Sequence, residues 1–183
     1  MQLPTATEAR NTLHHYVTDP YQRIHAEMVA AAVAGYASQY NANTTLWWLT
    51  GLWHDLDYDL HPDTHPGPAL AWLEEWGYPE EMIHAIEAHA EGFNGFTTTA
   101  NSDLARVLRA CDEICGIFYA YRKLNPIPYQ DMKVKSIKKR LAENKFAPGI
   151  DREHIYTACT TLDIDMDTHI QQLIDTLPEP NHA

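Results

Sequence analysis

The chain has 183 residues, enough for one domain with a proper core, and its apolar content of 45% excludes a disordered protein. Its net charge of −12 at pH 7 argues against general nucleic-acid binding, which needs a basic surface. The sequence opens without a secretory leader and has no apolar run long enough to span a bilayer. We therefore expect a soluble, cytoplasmic protein with no membrane partner.

Helical spacing of apolar residues and helix-capping signals predict an all-α fold along the whole chain. Asp19-Pro20 offers an N-cap followed by proline at the first helical position, and Thr44 to Trp53 is apolar on nearly every face, as a central helix would be. The predicted helices cover residues 6–17, 20–40, 44–53, 69–76, 79–90, 102–124, 131–143, 151–162 and 167–177. We expect a single domain over residues 1–183, with a core of about 20–125 and a C-terminal helical extension of about 130–177.

Four residues in three predicted helices are candidates for metal ligands. His54 and Asp55 stand side by side at the end of the central helix, and His25 lies one helix upstream. Asp112 lies among apolar neighbours, where an ionised carboxylate is costly unless it is paired or bound to a metal. Taken singly, His25 suits a half-buried helix position and Asp112 a salt bridge with a nearby arginine, Arg106 or Arg109. Taken together, two imidazoles and two carboxylates indicate a divalent metal site.

The order of these residues resembles the HD superfamily of metal-dependent phosphohydrolases. The resemblance covers about residues 20–175 and extends to several segments that are similar to one branch of predicted HD hydrolases. These segments are Arg23-Ile24-His25-Ala26, Gly51-Leu52-Trp53-His54-Asp55-Leu56-Asp57-Tyr58, Ala85-Ile86 with His89, residues 110–116, and the basic block of residues 134–139. The resemblance implies an HD-domain helical bundle with its metal site between central helices.

The resemblance also implies the ligand set. His25, His54, Asp55 and Asp112 would hold one ion, and Asp55 would bridge to a second ion held by His65 and His89. Alternatively, His65 only hydrogen-bonds the substrate or a loop carbonyl. The cofactor would be one or two divalent transition-metal ions, and the ligand types suit iron, manganese, nickel and zinc equally. The remaining histidines are interpreted as outer or surface residues (His61, His84) or as solvated (His14, His15, His154, His169, His182).

The implied reaction is hydrolysis of a phosphate ester or a nucleotide phosphate by metal-activated water. Asp55 and Asp57 are the catalytic candidates: Asp57 would orient the water or protonate the leaving group, or else it caps the loop. Two other functions stay open, a di-iron oxygenase built on the same ligands and a non-enzymatic sensor that binds a nucleotide or metal. The expected partner is a small phosphorylated substrate, and a homo-oligomer is compatible with the sequence.

Positive charge is concentrated in one part of the chain. Nine of the 13 basic residues lie between Arg122 and Arg152, together with three acidic residues. Lys135 and Lys139 are four residues apart and share a helix face, and Arg152 could contact phosphate oxygens through two hydrogen bonds. We therefore predict that Lys135, Lys139 and Arg152 bind the substrate phosphate. The alternative is that they are solvated charges that balance the acidic remainder.

Overall fold

The computed structural model describes residues 2–179, and α-helices make up most of that part of the chain. They are α1 (Ala6–Tyr16), α2 (Pro20–Tyr36), α3 (Thr44–Trp53), α4 (Gly67–Glu75), α5 (Glu80–His89), α6 (Asp103–Leu124), α7 (Val134–Leu141), α8 (Arg152–Thr161) and α9 (Met166–Thr176). Two short 3-10 turns, Ala37–Tyr40 and Tyr129–Asp131, complete the secondary structure. No strand occurs within residues 2–179, so the predicted all-α fold is confirmed.

Side-chain caps fix the starts of the helices that carry the site. Asp19 accepts a hydrogen bond from the backbone N–H of Tyr21, as its position before Pro20 predicts, and Ser102 caps α6 in the same way. The predicted helix 131–143 is shorter than expected. The chain first makes the 3-10 turn and then passes through extended backbone at Met132 and Lys133, so α7 begins only at Val134.

Helix α3 lies in the middle of the protein, as its apolar sequence predicts. Its two largest side chains, Trp47 and Trp53, are buried, and Trp53 Nε1 donates a hydrogen bond to the carbonyl of Ala9 at 3.1 Å. Gly51 lets α3 approach α2 closely, because a Cβ at this position would lie 2.7 Å from the Cα of Ala30. That close approach places the end of α3 beside the middle of α2.

Helix α6 packs against α2, α5 and α8, and α9 packs on α2. The C-terminal helices therefore share the core of the preceding ones, to which they contribute Ile155 and Ile170. One interpretation from the sequence is wrong here. His169 is not solvated but fully buried, with Nδ1 2.6 Å from Tyr36 Oη and Nε2 2.8 Å from the carbonyl oxygen of Ala110. His182 lies outside the described residues.

Across residues 2–179, none of the helices combines the length and the apolar character needed to cross a bilayer.

Candidate metal centre

Helices α2 and α6 bring the first two candidate ligands together. His25 lies on the second turn of α2 and Asp112 in the middle of α6, and their Nε2 and Oδ1 atoms are 2.9 Å apart. The two arginines that were alternative partners for Asp112 pair with other carboxylates: Arg106 with Asp103 and Arg109 with Glu91. Asp112 therefore faces histidines and no arginine.

The end of α3 supplies the adjacent pair. His54 is completely buried, and its Nδ1 lies 2.8 Å from the carbonyl oxygen of Gly51, one turn back in the same helix. Its Nε2 lies 3.3 Å from Asp55 Oδ2 and 3.4 Å from Asp112 Oδ1. The pair thus joins the α2–α6 ligands because the helix ends beside them.

His65 and His89 complete the cluster from the loop after α3 and from the last turn of α5. Their Nε2 atoms are 3.2 Å apart and lie 3.3 and 3.4 Å from Asp55 Oδ1. Each ring is oriented from behind through Nδ1. His65 Nδ1 contacts Asp57 Oδ1 at 2.7 Å, and His89 Nδ1 contacts the carbonyl oxygen of Ile86. Asp55 therefore faces two groups of ligands, one with each carboxylate oxygen.

These separations suit shared metal ions. Two ligand atoms that bind one ion at about 2.1 Å, with an angle between a right angle and the tetrahedral value, are about 3.0–3.4 Å apart. The distances between candidate ligand atoms given above run from 2.9 to 3.4 Å. Three overlapping groups have ligand atoms close enough to hold an ion: His25 with His54 and Asp55, His54 with His89 and Asp112, and Asp55 with His65 and His89.

The protonation pattern also suits a cation. The backbone oxygens of Gly51 and Ile86 can only accept, so Nδ1 of His54 and of His89 carries the proton, and Nε2 of the neutral ring is a bare lone pair. An oxygen of Asp57 lies at Nδ1 of His65 and favours the same tautomer there. Within residues 2–179, the buried His54 Nε2 has no hydrogen-bond partner. Lone pairs that face one another and two carboxylates repel unless a positive charge lies between them.

The electrostatics of the cluster keep its carboxylates ionised. Burial alone would raise the pKa of Asp55 and of Asp112, but the neighbouring histidines, His54 first, lower both pKa values well below the usual range. Burial would lower the pKa of His54, but the carboxylates of Asp55 and Asp112 raise it well above its ordinary value. Without an ion, a proton on Nε2 would balance the two carboxylates, and a bound cation would take the place of that proton. Ionised carboxylates are the form that binds a metal ion.

The cluster opens into a cavity of about 620 Å³. His25, Asp55, His65, His89 and Asp112 contribute to its lining. The other lining residues come from α2 and α6, from the loops that follow α3, α5 and α7, and from the start of α8: Tyr21, Gln22, Tyr58, Ala90, Glu91, Gly92, Phe93, Glu113, Gly116, Gly149, Ile150, Asp151 and His154. A small molecule in this cavity would contact the candidate ligands directly.

The HD domain model matches residues 23–116, just over half of the chain and the stretch that contains all six candidate ligands. The chain belongs to the HD domain family. HD proteins bind divalent metal ions and are typically metal-dependent phosphohydrolases, and the buried histidines and aspartates here could hold such an ion. Neither the curated proteins nor the solved structures include a match.

Asp57 lies at a different place from the one expected of a catalytic group. Its side chain is completely buried and does not line the cavity of this HD domain. One carboxylate oxygen contacts His65 Nδ1, and the other accepts a hydrogen bond from the backbone N–H of Ala69 at 3.3 Å. Asp57 thus reaches the cavity only through His65. It also holds the start of α4, which is close to the alternative that Asp57 caps the loop.

The three predicted phosphate-binding residues are not among the cavity lining. Lys135 and Lys139 are exposed on α7. Arg152 is half-buried, and its guanidinium donates to five backbone carbonyls between Leu141 and Ile150. Each of its hydrogen-bonding nitrogens is therefore committed to the loop between α7 and α8.

Glu113 and His154 line the cavity, although the sequence did not single them out for the site. Burial has the larger effect on Glu113 and the nearby carboxylate of Asp112 the next, and together they raise the pKa of Glu113 to about 7. His154, interpreted from the sequence as solvated, is half-buried, and burial followed by the proximity of Arg109 lowers its pKa. Glu113 could have been found because it follows Asp112 directly, whereas nothing in the sequence brings His154 to the HD core.

Proposed function

We propose that this HD protein is a metal-dependent phosphohydrolase that cleaves a phosphate ester or a nucleotide phosphate. The observation that carries the proposal is the convergence of His25, His54, Asp55, His65, His89 and Asp112, with bare imidazole nitrogens and ionised carboxylates at the spacing of shared metal ligands. Family membership supports the same reaction class.

The residues of the chain have distinct roles in this proposal. His25, His54 and Asp112 would hold one divalent ion and His65 and His89 a second, with Asp55 shared between the two groups of ligands. Such ions would supply an activated water and polarise the phosphoryl oxygens. Asp57 keeps the His65 ring in the tautomer that binds metal, and Gly51 O does the same for His54.

Recognition of the phosphate falls to the ions in this arrangement. Within the described residues, no lysine or arginine lines the cavity. The metal ions would therefore be the main positive charges available to the substrate phosphate, and the cavity walls would contact the organic group.

The test uses protein loaded with manganese, iron, nickel or zinc and a panel of phosphate esters and nucleotides. We expect turnover that depends on the added metal, and an Asp55→Ala variant that keeps its helical circular dichroism but loses both metal and activity. Asp63→Ala, an exposed carboxylate of the same loop, is the matched control and should behave as the parent.

Other results would contradict the proposal in distinguishable ways. Turnover that requires oxygen and iron, and stops in an anaerobic assay, would indicate the di-iron oxygenase. Metal and nucleotide binding without turnover of any panel member would indicate a sensor. An Asp55→Ala variant with full metal content would refute the ligand assignment itself.

A further inference from the structure

Part of the cavity lining comes from outside the matched HD domain. Gly149, Ile150 and Asp151, at the end of the α7–α8 loop, and His154, in the first turn of α8, line the cavity that the metal cluster opens into. We call Gly149, Ile150, Asp151 and His154 the C-terminal wall. Helix α8 packs on α6, so the wall is positioned by the helix that carries the candidate ligand Asp112.

Arg152 fixes the backbone that leads into the wall. Its guanidinium donates hydrogen bonds to the carbonyl oxygens of Leu141, Glu143, Phe146, Ala147 and Ile150. The planar fork of arginine makes several such bonds at once, which a lysine cannot reproduce. The α7–α8 loop has no regular secondary structure of its own, so this one side chain holds the loop in a single arrangement.

Ile150 closes the wall against α6. A Cβ at Gly116 would lie 2.8 Å from Ile150 Cδ1. The lack of a side chain at Gly116 therefore leaves the space on α6 that Ile150 fills. Tyr21 Oη is also close, 3.6 Å from the same Cβ position. The branched side chain of Ile150 thus occupies volume at the edge of the cavity and limits what can lie there.

The wall and its neighbour on α6 present acidic side chains to the cavity. Asp151 and Glu113 both line it, and none of the lining residues within the described chain is a lysine or arginine. The nearest arginine on α6, Arg109, is already paired with Glu91. A second negative group on a substrate would therefore meet carboxylates with no side-chain cation to offset them.

We propose that the C-terminal wall is the specificity element of this enzyme. It admits phosphate monoesters whose organic group is compact and carries no second negative charge, and it disfavours bulky or doubly anionic substrates. Ile150 sets the size limit, Asp151 and Glu113 set the charge limit, and Arg152 is a positioning residue. This inference rests on the proposed phosphohydrolase function.

The experiment measures binding of phosphonates that cannot be hydrolysed, by calorimetry on manganese-loaded protein. Methylphosphonate, phenylphosphonate and 4-carboxyphenylphosphonate differ in size and in charge at the end away from phosphorus. Asp151→Asn is a clean charge change, because the asparagine amide oxygen can still cap α8 through the N–H of His154. Glu113→Gln tests the second carboxylate, and Glu153→Gln, an exposed α8 residue outside the lining, is the matched control.

We expect Asp151→Asn to improve binding of the carboxylated probe relative to phenylphosphonate by about threefold or more, Glu113→Gln to improve it less, and Glu153→Gln to leave it unchanged. Ile150→Ala should improve phenylphosphonate relative to methylphosphonate by about fivefold or more, since it removes three heavy atoms from the cavity edge. Arg152→Gln should weaken the discrimination between probes both by charge and by size, while the metal content stays at the parent level.

The role of the wall would be overturned if the ratios of affinity between the probes stay within twofold of the parent in Ile150→Ala, Asp151→Asn and Glu113→Gln. This holds even if Arg152→Gln fails to fold. That result is distinct from failure of the proposed function. If metal-loaded parent protein binds none of the three phosphonates, the phosphohydrolase proposal fails and the wall inference fails with it.

Discussion

Replacing Asp57 by Asn tests the proposal that this buried carboxylate acts on the metal centre through His65. Asp57 accepts two hydrogen bonds, from His65 Nδ1–H at 2.7 Å and from the backbone N–H of Ala69 at 3.3 Å. An asparagine has only one oxygen, so its NH₂ group must face one of these two groups. If the NH₂ faces His65, that ring must move its proton to Nε2, the atom proposed to bind metal.

The structure sets the size of the effect. Loss of a hydrogen bond that orients a metal-binding histidine typically weakens the metal about 10- to 100-fold. The alternative orientation leaves the Ala69 N–H without an acceptor in a buried place, which costs about 1–3 kcal/mol of stability. Either orientation has a measurable consequence, and we expect the second ion to be affected while the ion at His25 and His54 remains.

The assay is a metal titration by calorimetry, with metal content measured by mass spectrometry and stability by urea unfolding. Asp59→Asn is the control, because Asp59 is two residues on and accepts backbone N–H bonds from Thr18 and Asp19, away from the metal cluster. It should lower stability without changing the metal affinity. An Asp57→Asn protein with the parent's metal affinity and stability would refute the positioning role.

Three further predictions follow from the described contacts. His89→Ala should reduce metal content from about two ions per chain towards one, and a parent protein that never exceeds one ion would refute the second site. Gly51→Ala should lower the free energy of unfolding by about 1–3 kcal/mol, because its Cβ would lie 2.7 Å from the backbone of Ala30; an unchanged urea midpoint would contradict the close helix contact. Burial lowers the pKa of His169 to about 4, so its neutral ring stabilises the fold fully above pH 6.5 and less as the pH falls towards 4. Between pH 7.5 and 5.5 this loss should be about 1 kcal/mol in the parent and should disappear in His169→Gln, as compared by urea unfolding at the two pH values.

The sequence predicted well what depends on local pattern and on ligand chemistry. Helices α2 and α3 begin where their cap residues stand, because a cap is a contact between residues two or three apart. His54, Asp55 and Asp112 could also be chosen from the sequence, because imidazole and carboxylate within or at the end of an apolar helix are costly without a partner. His65 and His89 were chosen from the resemblance to HD proteins.

The sequence could not predict which long-range contact each polar side chain makes. Arg152 looked available for phosphate, but the loop folds back on its guanidinium, and that contact depends on the path of the chain from Leu141 onward. His169 precedes Ile170, Leu173 and Ile174, and this apolar spacing on α9 was a signal that it lies on the buried face. Its partner Tyr36 is on another helix, beyond the reach of periodicity.

The basic segment, residues 122–152, does not supply positive charge to the cavity. Four of its nine basic residues pair with carboxylates: Lys138 contacts Asp167, Arg140 and Lys139 contact Glu143, and Arg122 contacts Glu179. Exposed pairs of this kind contribute about 0–1 kcal/mol each, so they satisfy charge more than they stabilise the fold. Because these residues are not in the cavity lining, the segment does not offset the acidic surroundings of the candidate active site. Under the proposed function, an anionic substrate would have to be attracted by divalent ions at the His–Asp cluster, so we expect substrate binding as well as turnover to require metal loading.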